Sequence, residues 1–263
     1  MKKKLIAVLC AATMLLSLLA GCGSSSADSW EDQLGSKDLI RVGISPDYPP
    51  FESYATDASG NVTTEIVGFD AEMANFIGEY LNMKVELVPM AFETIISAVN
   101  AGTVDLGVSC FSYREDRDVL FSDTYYTSCQ AVVAVVAATA GRIKTLDDLA
   151  GQVILAGDAT TGMYYAEELC EEYGCEVRSG DIQPMMENLK ALACAAIVTE
   201  ECVAQSYINA NPGVYEIINQ GASEEIKVIA KNGNDLLMEK VNEAVKAFVE
   251  SDNYDALVED YFG

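Results

Sequence analysis

Strand-like and helix-like segments alternate along this chain, and their order constrains its fold more than any other sequence feature. Short apolar runs typical of strands are separated by segments whose apolar side chains recur at helical spacing. The predicted strands span residues 39–44, 85–89 and 104–109, and the predicted helices span residues 70–81 and 92–100, with Asp70 as the N-cap of the first helix. This order predicts a mostly parallel sheet that binds ligands at the carboxyl ends of its strands.

A second unit with the same alternation follows the first. Strands are predicted at residues 131–138, 153–156, 194–199 and 226–230. Helices are predicted at residues 146–149, 184–192, 200–209, 234–249 and 253–262, and another runs from the turn at residues 158–162 through residue 173. The small residues at 158–162 form a turn that could offer backbone N–H groups to an anion, although a capped helix start explains this turn more simply. Prolines at 46, 49 and 50 predict an irregular loop after the first strand.

The composition excludes several classes of function. The formal charge is −25, and removing Lys2, Lys3 and Lys4 would change it to −25 − 3 = −28, which argues strongly against nucleic acid as a partner. The chain contains no histidine, so it lacks Ser-His-Asp triads, Cys-His nucleophiles and imidazole metal sites. Carboxylate or lysine chemistry remains possible, and we predict neither a metal nor a cofactor.

The N-terminus has the pattern of an export signal. Three lysines precede an apolar stretch at residues 5–19 that is short for a membrane-spanning helix, and Leu-Ala-Gly-Cys follows at residues 19–22. This tetrapeptide resembles the bacterial lipobox, which implies that Cys22 is lipidated. We therefore expect a signal peptide at residues 1–21, a tether at residues 22–37, and a protein anchored to the extracellular face of the cell membrane.

Six cysteines remain after Cys22 and the leader cysteine are set aside. They are Cys110, Cys129, Cys170, Cys175, Cys194 and Cys202, and they allow fifteen different pairings. Cys170 and Cys175 could close a small loop around Gly174, or they could be free thiols. No CxxC spacing occurs, which argues against a zinc or redox motif.

A segment rich in hydroxyl and aromatic side chains contains two arginines that could bind an anionic group of a ligand. Residues 108–117 include Arg114 and Arg117, and the Phe-Ser-Asp run at residues 121–123 follows almost at once. Arginine suits a carboxylate because its planar guanidinium makes two parallel charge-assisted hydrogen bonds. The alternative is an ordinary solvated ion pair on a loop.

Taken together, these segments resemble the family 3 extracellular solute-binding proteins, the amino-acid receptors of ABC importers. The resemblance is carried by Arg-Val-Gly-Ile at 41–44, Tyr-Pro-Pro-Phe-Glu at 48–52, Val-Gly-Phe-Asp at 67–70, Ala-Gly-Thr-Val-Asp at 101–105, Phe-Ser-Asp at 121–123 with Tyr125 and Tyr126, Ala-Ile-Val-Thr-Glu at 196–200, and residues 255–263. It implies an α/β, two-lobed clamp of the periplasmic-binding-protein type II class, with two mostly parallel sheets joined by two crossing strands. Lobe 1 would span residues 38–128 and be completed by residues 221–263, and lobe 2 would span residues 129–220.

The same resemblance implies a set of ligand-binding residues. Arg117 would hold the α-carboxylate of an amino acid, with hydroxyl groups at Ser112 and Thr160. Glu200 would hold the α-amino group, and Tyr48 and Phe92 would flank the side chain. Three further residues belong to the predicted site: Ser109, Thr161 as the alternative to Thr160, and Arg114 as the alternative to Arg117. On sequence alone, the two aromatics could equally be core residues, Glu200 could favour a helix start, and Thr160 could be a cap.

We therefore expect a monomeric receptor that delivers a free amino acid to a membrane permease. Asp47, Glu52 and Glu93 would favour a cationic ligand if they face the cleft. Two alternatives are an enzyme that resembles cyclohexadienyl dehydratases, which use this fold, and a ligand-binding sensor lipoprotein.

Overall fold

The computed structural model describes residues 29–36, 38–136 and 143–263, and it forms a mixed α/β fold over these ranges. The strands are β1 (Leu39–Ile44), β2 (Asp47–Tyr48), β3 (Glu52–Thr56), β4 (Val62–Val67), β5 (Lys84–Pro89), β6 (Leu106–Ser112), β7 (Leu120–Val135), β8 (Val153–Ala156), β9 (Glu176–Ser179), β10 (Ala196–Glu200) and β11 (Tyr215–Ala230). The α-helices are α1 (Phe69–Leu81), α2 (Phe92–Ala101), α3 (Thr161–Tyr173), α4 (Ile182–Lys190), α5 (Glu201–Ala210), α6 (Asp235–Val249) and α7 (Tyr254–Phe262). Short 3-10 helices lie at Trp30–Gln33 and Leu146–Leu149.

The large sheet has two parallel halves, as the sequence predicts. Its strand order is β5-β1-β6-β11-β7-β10-β8-β9, with β5, β1 and β6 parallel to one another and β10, β8 and β9 parallel to one another. The half that contains β1, with α1 and α2, is called the first lobe below, and the half that contains β8, with α3 and α4, is called the second lobe. The two-lobed α/β prediction is confirmed.

Two long antiparallel strands, β7 and β11, cross from one lobe to the other. Each has 16 residues, and their pairing is irregular between Gln220 and Ser223, where the lobes meet. The predicted segments at residues 131–138 and 226–230 cover only parts of these strands, and residues 137–138 lie outside the described residues. The missed part of β11 includes Asn-Gln-Gly-Ala-Ser-Glu-Glu at 219–225, whose polar sequence has no strand pattern.

A small antiparallel sheet replaces the loop predicted after the first strand. Its strand order is β2-β3-β4, and it begins among the prolines that predict irregular structure. The prolines bound the two-residue strand β2 and do not prevent it, because the strand pairs at its edge with β3. The four-residue strand β9, at the edge of the large sheet, is also absent from the predicted elements.

The predicted N-cap role of Asp70 is wrong. Gly68 is the N-cap of α1 with φ of 128°, and a Cβ atom at this position would collide with the carbonyl group of Phe51. Asp70 is fully buried, and it accepts hydrogen bonds from the Cys110 N–H at 2.6 Å and the Tyr125 hydroxyl at 2.7 Å. Asp70, for which the sequence predicts only a local capping role, therefore connects α1 with two segments that are distant in the sequence.

The C-terminal helices pack on the first lobe through aromatic side chains. Phe69 of α1 lies 5.7 Å from Phe248 of α6 and 5.0 Å from Phe262 of α7, measured between ring centroids. These rings belong to or pack against the largest hydrophobic cluster, which includes buried residues on both sides of the crossing strands. The chain thus returns to its first lobe to complete the core.

The segment just before β1 also contacts the first lobe. The Leu237 N–H donates to Gln33 Oε1 at 2.7 Å, and the Gly35 N–H donates to Asp105 Oδ1 at 2.7 Å. Residues 29–36 of the predicted tether are therefore in contact with α6 and the loop before β6. The predicted signal peptide and Cys22 lie outside the described residues.

One cysteine pair is resolved by the structure. Cys170 and Cys175 form a disulfide that closes the predicted loop around Gly174. Cys110, Cys129, Cys194 and Cys202 are free thiols. Within the described residues, no helix has the length and apolar character required to cross a membrane.

Candidate functional site

A cavity of about 290 Å³ lies between the two lobes. Its walls come from the carboxyl ends of strands and from helix starts, as expected for parallel α/β sheets. Eight of the nine predicted ligand-binding residues line it, namely Tyr48, Phe92, Ser109, Ser112, Arg117, Thr160, Thr161 and Glu200. Their roles in ligand binding remain predictions.

Arg117 spans the cleft from the first lobe to the second. Its Nη1 donates to the Ser112 carbonyl at 2.7 Å, and its Nη2 donates to the Ala159 carbonyl of the second lobe at 2.9 Å. Ala159 has φ of 57°, an uncommon conformation for a residue with a side chain. Burial, followed by the positive charge of Arg114, lowers the pKa of Arg117 to about 10. The guanidinium is therefore still charged at neutral pH.

Arg114 lies outside the cavity lining and has other partners. Its Nε donates to Asp116 Oδ1 at 2.9 Å, and its guanidinium carbon lies 3.2 Å from the centroid of the Tyr164 ring. Tyr164 belongs to α3, so this cation–π contact also joins the two lobes. The geometry favours Arg117 over Arg114 as the residue that contacts a ligand.

The serine hydroxyl groups of β6 donate to carboxylates. Ser112 Oγ donates to Glu224 Oε2 at 2.6 Å, and Ser109 Oγ donates to Glu52 Oε1 at 2.7 Å. Ser109 Oγ also accepts from the Ser45 N–H at 3.1 Å. Both serines are buried at the carboxyl end of β6, which places them beside the loop that carries Arg117.

The two threonines at the start of α3 have different roles. Thr160 is the N-cap of α3, and its hydroxyl accepts from the Met163 N–H at 3.1 Å and donates to the Gly157 carbonyl at 2.7 Å. The alternative interpretation as a helix cap therefore accounts for its hydroxyl group. The Thr161 hydroxyl donates to Glu224 Oε2 at 2.7 Å.

Glu200 is a buried acid at the end of β10. Its Oε2 accepts from the Tyr48 hydroxyl, and its Oε1 accepts from Gln130 Nε2 at 2.8 Å. Burial, followed by the negative charge of Glu224, raises the pKa of Glu200 to about 8. An ammonium group beside Glu200 would offset both effects, because it favours the ionised carboxylate.

The predicted aromatic residues contribute both to packing and to the cavity wall. Tyr48 is half-buried, its ring stacks on Phe51 at 6.4 Å, and its hydroxyl lies 2.6 Å from Thr199 Oγ1 in the second lobe. The Phe92 ring stacks on Phe111 at 4.7 Å. These rings are core residues on one side and cavity walls on the other.

Acidic residues dominate the charge of the cavity. Among the described residues that line it, Arg117 alone is basic, whereas six are acidic: Asp47, Glu52, Glu93, Asp158, Asp181 and Glu200. Burial is the main cause that raises the pKa of Asp47, with contributions from the Asp181 and Glu93 charges. Burial and the neighbouring Asp70 raise the pKa of Glu52 well above its ordinary value. Among the described lining residues acidic groups thus outnumber the one arginine, and burial and mutual repulsion favour the protonated forms of Asp47 and Glu52.

Two residues at the centre of this network were missed by the sequence analysis. Gln130 lies on β7, and its Nε2 donates to Glu200 and, at 3.2 Å, to Thr161 Oγ1. Glu224 lies on β11 and accepts from hydroxyl groups of both lobes. Neither stands in a recognisable motif, and their partners are 31 to 112 positions away in the sequence.

The comparisons with known proteins agree with this architecture. The model of the bacterial extracellular solute-binding proteins, family 3, matches residues 40–263. The arginine-binding extracellular protein ArtP of Bacillus subtilis (strain 168) is 30% identical over 265 residues, which cover 99% of this chain and 98% of that relative.

Two solved structures have the same fold. An ancestral arginine-binding protein bound to arginine is 31% identical with a TM-score of 0.76, and the match covers 86% of this chain and 98% of that one. The ancestral amino acid-binding protein AncCDT-1, a precursor of cyclohexadienyl dehydratase, is 26% identical with a TM-score of 0.76, and the match covers 86% and 96% of the two chains.

Proposed function

Because this chain belongs to family 3 of the bacterial extracellular solute-binding proteins, we propose that it captures a free cationic amino acid between its lobes and delivers it to an ABC permease. It acts as a monomer whose lobes close on the ligand. Lobe 1 comprises residues 38–128 and 221–263, lobe 2 comprises residues 129–220, and closure occurs about the irregular pairing of the crossing strands.

The observation that carries this proposal is the placement of a guanidinium group and a carboxyl group in one cavity, the carboxyl group being able to ionise when an ammonium group binds beside it. Arg117 of the first lobe binds the α-carboxylate, and Glu200 of the second lobe binds the α-ammonium group. A charge-assisted hydrogen bond contributes roughly 1.5–3 kcal/mol. A ligand that carries both charges satisfies both lobes at once, whereas closure without it would bury charge that has no partner.

The class of side chain follows from the excess of acidic residues. A cationic amino acid has two positive charges and one negative charge, which suits a cavity with one arginine and several carboxyl groups. Asp47, Glu52 and Glu93 would lie around the distal positive charge. The arginine named for the Bacillus subtilis relative and bound in the ancestral protein supports the same class.

Export and lipidation belong to the same proposal. The basic start, the apolar stretch and Leu-Ala-Gly-Cys at residues 19–22 support cleavage before Cys22 and attachment of lipid to its thiol. The receptor would then remain at the extracellular face of the membrane, close to its permease.

An enzymatic reaction is not favoured by the residues of the cavity. The similarity to AncCDT-1, a precursor of cyclohexadienyl dehydratase, indicates which enzymatic reaction should be tested. The described lining residues include no lysine that could serve as a base. Turnover of arogenate or prephenate by the purified protein would contradict a purely binding role.

The proposal is tested by ligand-dependent thermal stability. The Cys22→Ser protein without its leader is heated in the presence of each natural amino acid, ornithine and cystine. We expect arginine, lysine or ornithine to raise the melting temperature, because a ligand that binds only the folded state stabilises it by mass action. A panel in which no amino acid changes the melting temperature would refute the receptor function.

The role of Arg117 is tested with a matched pair of variants. Arg117→Ala should abolish the ligand-dependent increase in melting temperature. Arg178→Ala is the control, because the Arg178 side chain is exposed, pairs with Glu176 at 2.7 Å and is not among the residues that line the cavity. An unchanged ligand response in Arg117→Ala would remove Arg117 from the binding site.

A further inference from the structure

Two acidic side chains, Glu52 and Asp70, lie against each other in the core of the first lobe. Glu52 begins β3, Asp70 lies in the first turn of α1, and both are buried. A hydrogen bond joins their carboxyl groups. Among the residues that the structure describes, no lysine or arginine pairs with either acid. Two carboxylates in contact without a cation repel each other, so the pair holds a proton between them.

The other hydrogen bonds of the pair identify the acid that carries this proton. Asp70 accepts from the Cys110 N–H at 2.6 Å and from the Tyr125 hydroxyl at 2.7 Å, one at each of its oxygens. Glu52 Oε1 accepts from the Ser109 hydroxyl at 2.7 Å, whereas Glu52 Oε2 is buried and finds no donor in the described part of the chain. A buried oxygen without a donor is costly unless it carries a proton and donates it. The proton therefore lies on Glu52 Oε2, and Asp70 is the anion.

The pKa values of the two acids agree with this assignment. Burial is the main cause that raises the pKa of both acids. The charge of Asp70 adds to burial and raises the pKa of Glu52 well above its ordinary value. For the pKa of Asp70, hydrogen bonds from Glu52, Tyr125 and the Cys110 N–H oppose the effect of burial. Asp70 is thus the acid that ionises first.

The environment of Glu52 limits what this acid can offer a ligand. Glu52 belongs to the cavity lining, but one of its oxygens is enclosed against Asp70 and the other accepts from Ser109. A neutral carboxyl group also adds no charge that would attract a cationic group. Glu52 is therefore part of the cavity wall, and the distal positive charge of the ligand is left to Asp47 and Glu93.

Asp70 also supports an irregular point in β6. The pairing of β6 with β11 shifts its register between Lys227 and Ile229, opposite the segment that contains Cys110. Cys110 has φ of 47°, which is uncommon for a residue with a side chain. Its buried N–H needs an acceptor, and the Asp70 carboxylate supplies one. The anion therefore stabilises the backbone conformation of β6 at this point.

This irregular point leads directly to the arginine of the cavity. Ser112 follows Cys110 by two positions, and its carbonyl accepts from Arg117 Nη1 at 2.7 Å. The course of the backbone at Cys110 thus determines where the Ser112 carbonyl stands, and this carbonyl orients the guanidinium. A shift of the backbone at Cys110 would therefore move Arg117.

From these contacts we infer that Glu52 and Asp70 are positioning residues that share one proton, held on Glu52, and that the Asp70 anion fixes the backbone from which Arg117 reaches the ligand. The inference rests on the proposed function and revises it at one point. Glu52 then supports the site from behind, and it is not one of the residues that attract the distal positive charge.

The test uses two ligands that differ only in their distal charge. L-arginine ends in a charged guanidinium group, whereas L-citrulline has nearly the same shape and ends in a neutral urea group. Binding of both probes to the soluble Cys22→Ser protein is measured by calorimetry, with Glu52→Gln, Glu52→Ala and Asp70→Asn as variants. Glu65→Gln is the matched control, because Glu65 is an exposed acid on β4 of the same small sheet.

Glutamine keeps the neutral contact, because its amide N–H can donate to Asp70 as the protonated acid does. We expect Glu52→Ala to weaken both probes roughly tenfold and Glu52→Gln to weaken both by less than about threefold. Asp70→Asn should weaken both probes by the same factor, roughly tenfold or more, as for a lost hydrogen bond to a charged group. Glu65→Gln should stay within about twofold of the wild type.

Three results would overturn the inference. A loss in Glu52→Gln that is much larger for L-arginine than for L-citrulline would mean that Glu52 offers its charge to the ligand. Equal losses in Glu52→Gln and Glu52→Ala would remove the neutral contact with Asp70. Unchanged binding by Asp70→Asn would remove its positioning role. If Asp70→Asn does not fold, Tyr125→Phe takes its place, because it deletes one of the hydrogen bonds that hold the anion; it should weaken both probes equally, and unchanged binding would again overturn the role.

A second measurement does not depend on the ligand. Infrared spectroscopy of the ligand-free protein in D2O at neutral pH detects the C=O band of a protonated carboxylic acid. The difference spectrum between the wild type and Glu52→Gln should contain this band, and the difference between the wild type and Glu65→Gln should not. Absence of the band from the first difference would overturn the placement of the proton. If the wild type binds neither probe, the proposed function fails, while this spectrum still decides whether Glu52 carries the shared proton.

Discussion

Glu200→Gln is predicted to make the stability of the protein less dependent on pH. Glu200 is buried, and its pKa rises from an ordinary value of 4.5 to about 8. The folded chain therefore binds this proton more tightly than the unfolded chain, and the free energy of unfolding falls as pH rises from 4.5 to 8. At 1.36 kcal/mol per pH unit, the whole difference is about 5 kcal/mol, and most of it, about 3 to 4 kcal/mol, is lost between pH 5 and pH 8.

Glutamine keeps the shape of the side chain and removes the titration, so the comparison isolates Glu200 from the other buried acids. Thermal unfolding of the ligand-free wild type and of Glu200→Gln is measured at pH 5 and pH 8. The variant should gain roughly 10 °C relative to the wild type over this range, since 1 kcal/mol corresponds to roughly 2–4 °C for a chain of this size. Glu201→Gln, at the next and partly exposed position, is the control. A difference in melting temperature that stays constant from pH 5 to pH 8 would refute the raised pKa.

Three further predictions concern closure, protonation and the disulfide. At pH 7 a group with a pKa of about 8 is mostly protonated, so ligand binding that ionises Glu200 should release up to about one proton. Calorimetry in buffers of different ionisation enthalpy measures this release, and zero release contradicts the prediction. Arg114→Ala and Tyr164→Leu should each weaken ligand binding by roughly 2- to 30-fold, as expected for a cation–π contact between the lobes. Their losses of binding free energy should not add in the double variant, and additive losses in binding titrations would exclude this coupling. Reducing the Cys170–Cys175 disulfide should lower the free energy of unfolding by about 2 kcal/mol, because the loop that it closes is short. Chemical denaturation with and without reductant tests this prediction, and equal denaturation midpoints would contradict it.

The choice between two arginines illustrates a limit of sequence reasoning. Arg114 and Arg117 stand three positions apart in the same polar loop, and local sequence gives both the same chemistry. The turn after β6, where the Arg117 N–H donates to the Arg114 carbonyl at 3.3 Å, directs Arg117 along the cavity and Arg114 onto Tyr164. Each arginine is oriented by a contact from the second lobe, the Ala159 carbonyl for Arg117 and the Tyr164 ring for Arg114.

Asp70 shows the same limit in the core. An acid at the start of a helix is usually a cap, and the local pattern supports that interpretation. The close approach of the Phe51 backbone requires glycine at the N-cap position, and Asp70 instead binds groups 40 and 55 positions away.

The sequence by itself determined the alternation of strands and helices, the two-lobed α/β class, the excess of negative charge and a set of residues of which eight line one cavity. The alternation and the charge follow from local periodicity and composition, which every short segment carries with it, whereas the two-lobed class and the site residues are what the family resemblance implies. The tertiary structure decided the crossing of β7 and β11, the small antiparallel sheet, and the network of Gln130 and Glu224. Its hydrogen bonds join side chains up to 112 positions apart, so their geometry exists only after the two lobes have packed against each other.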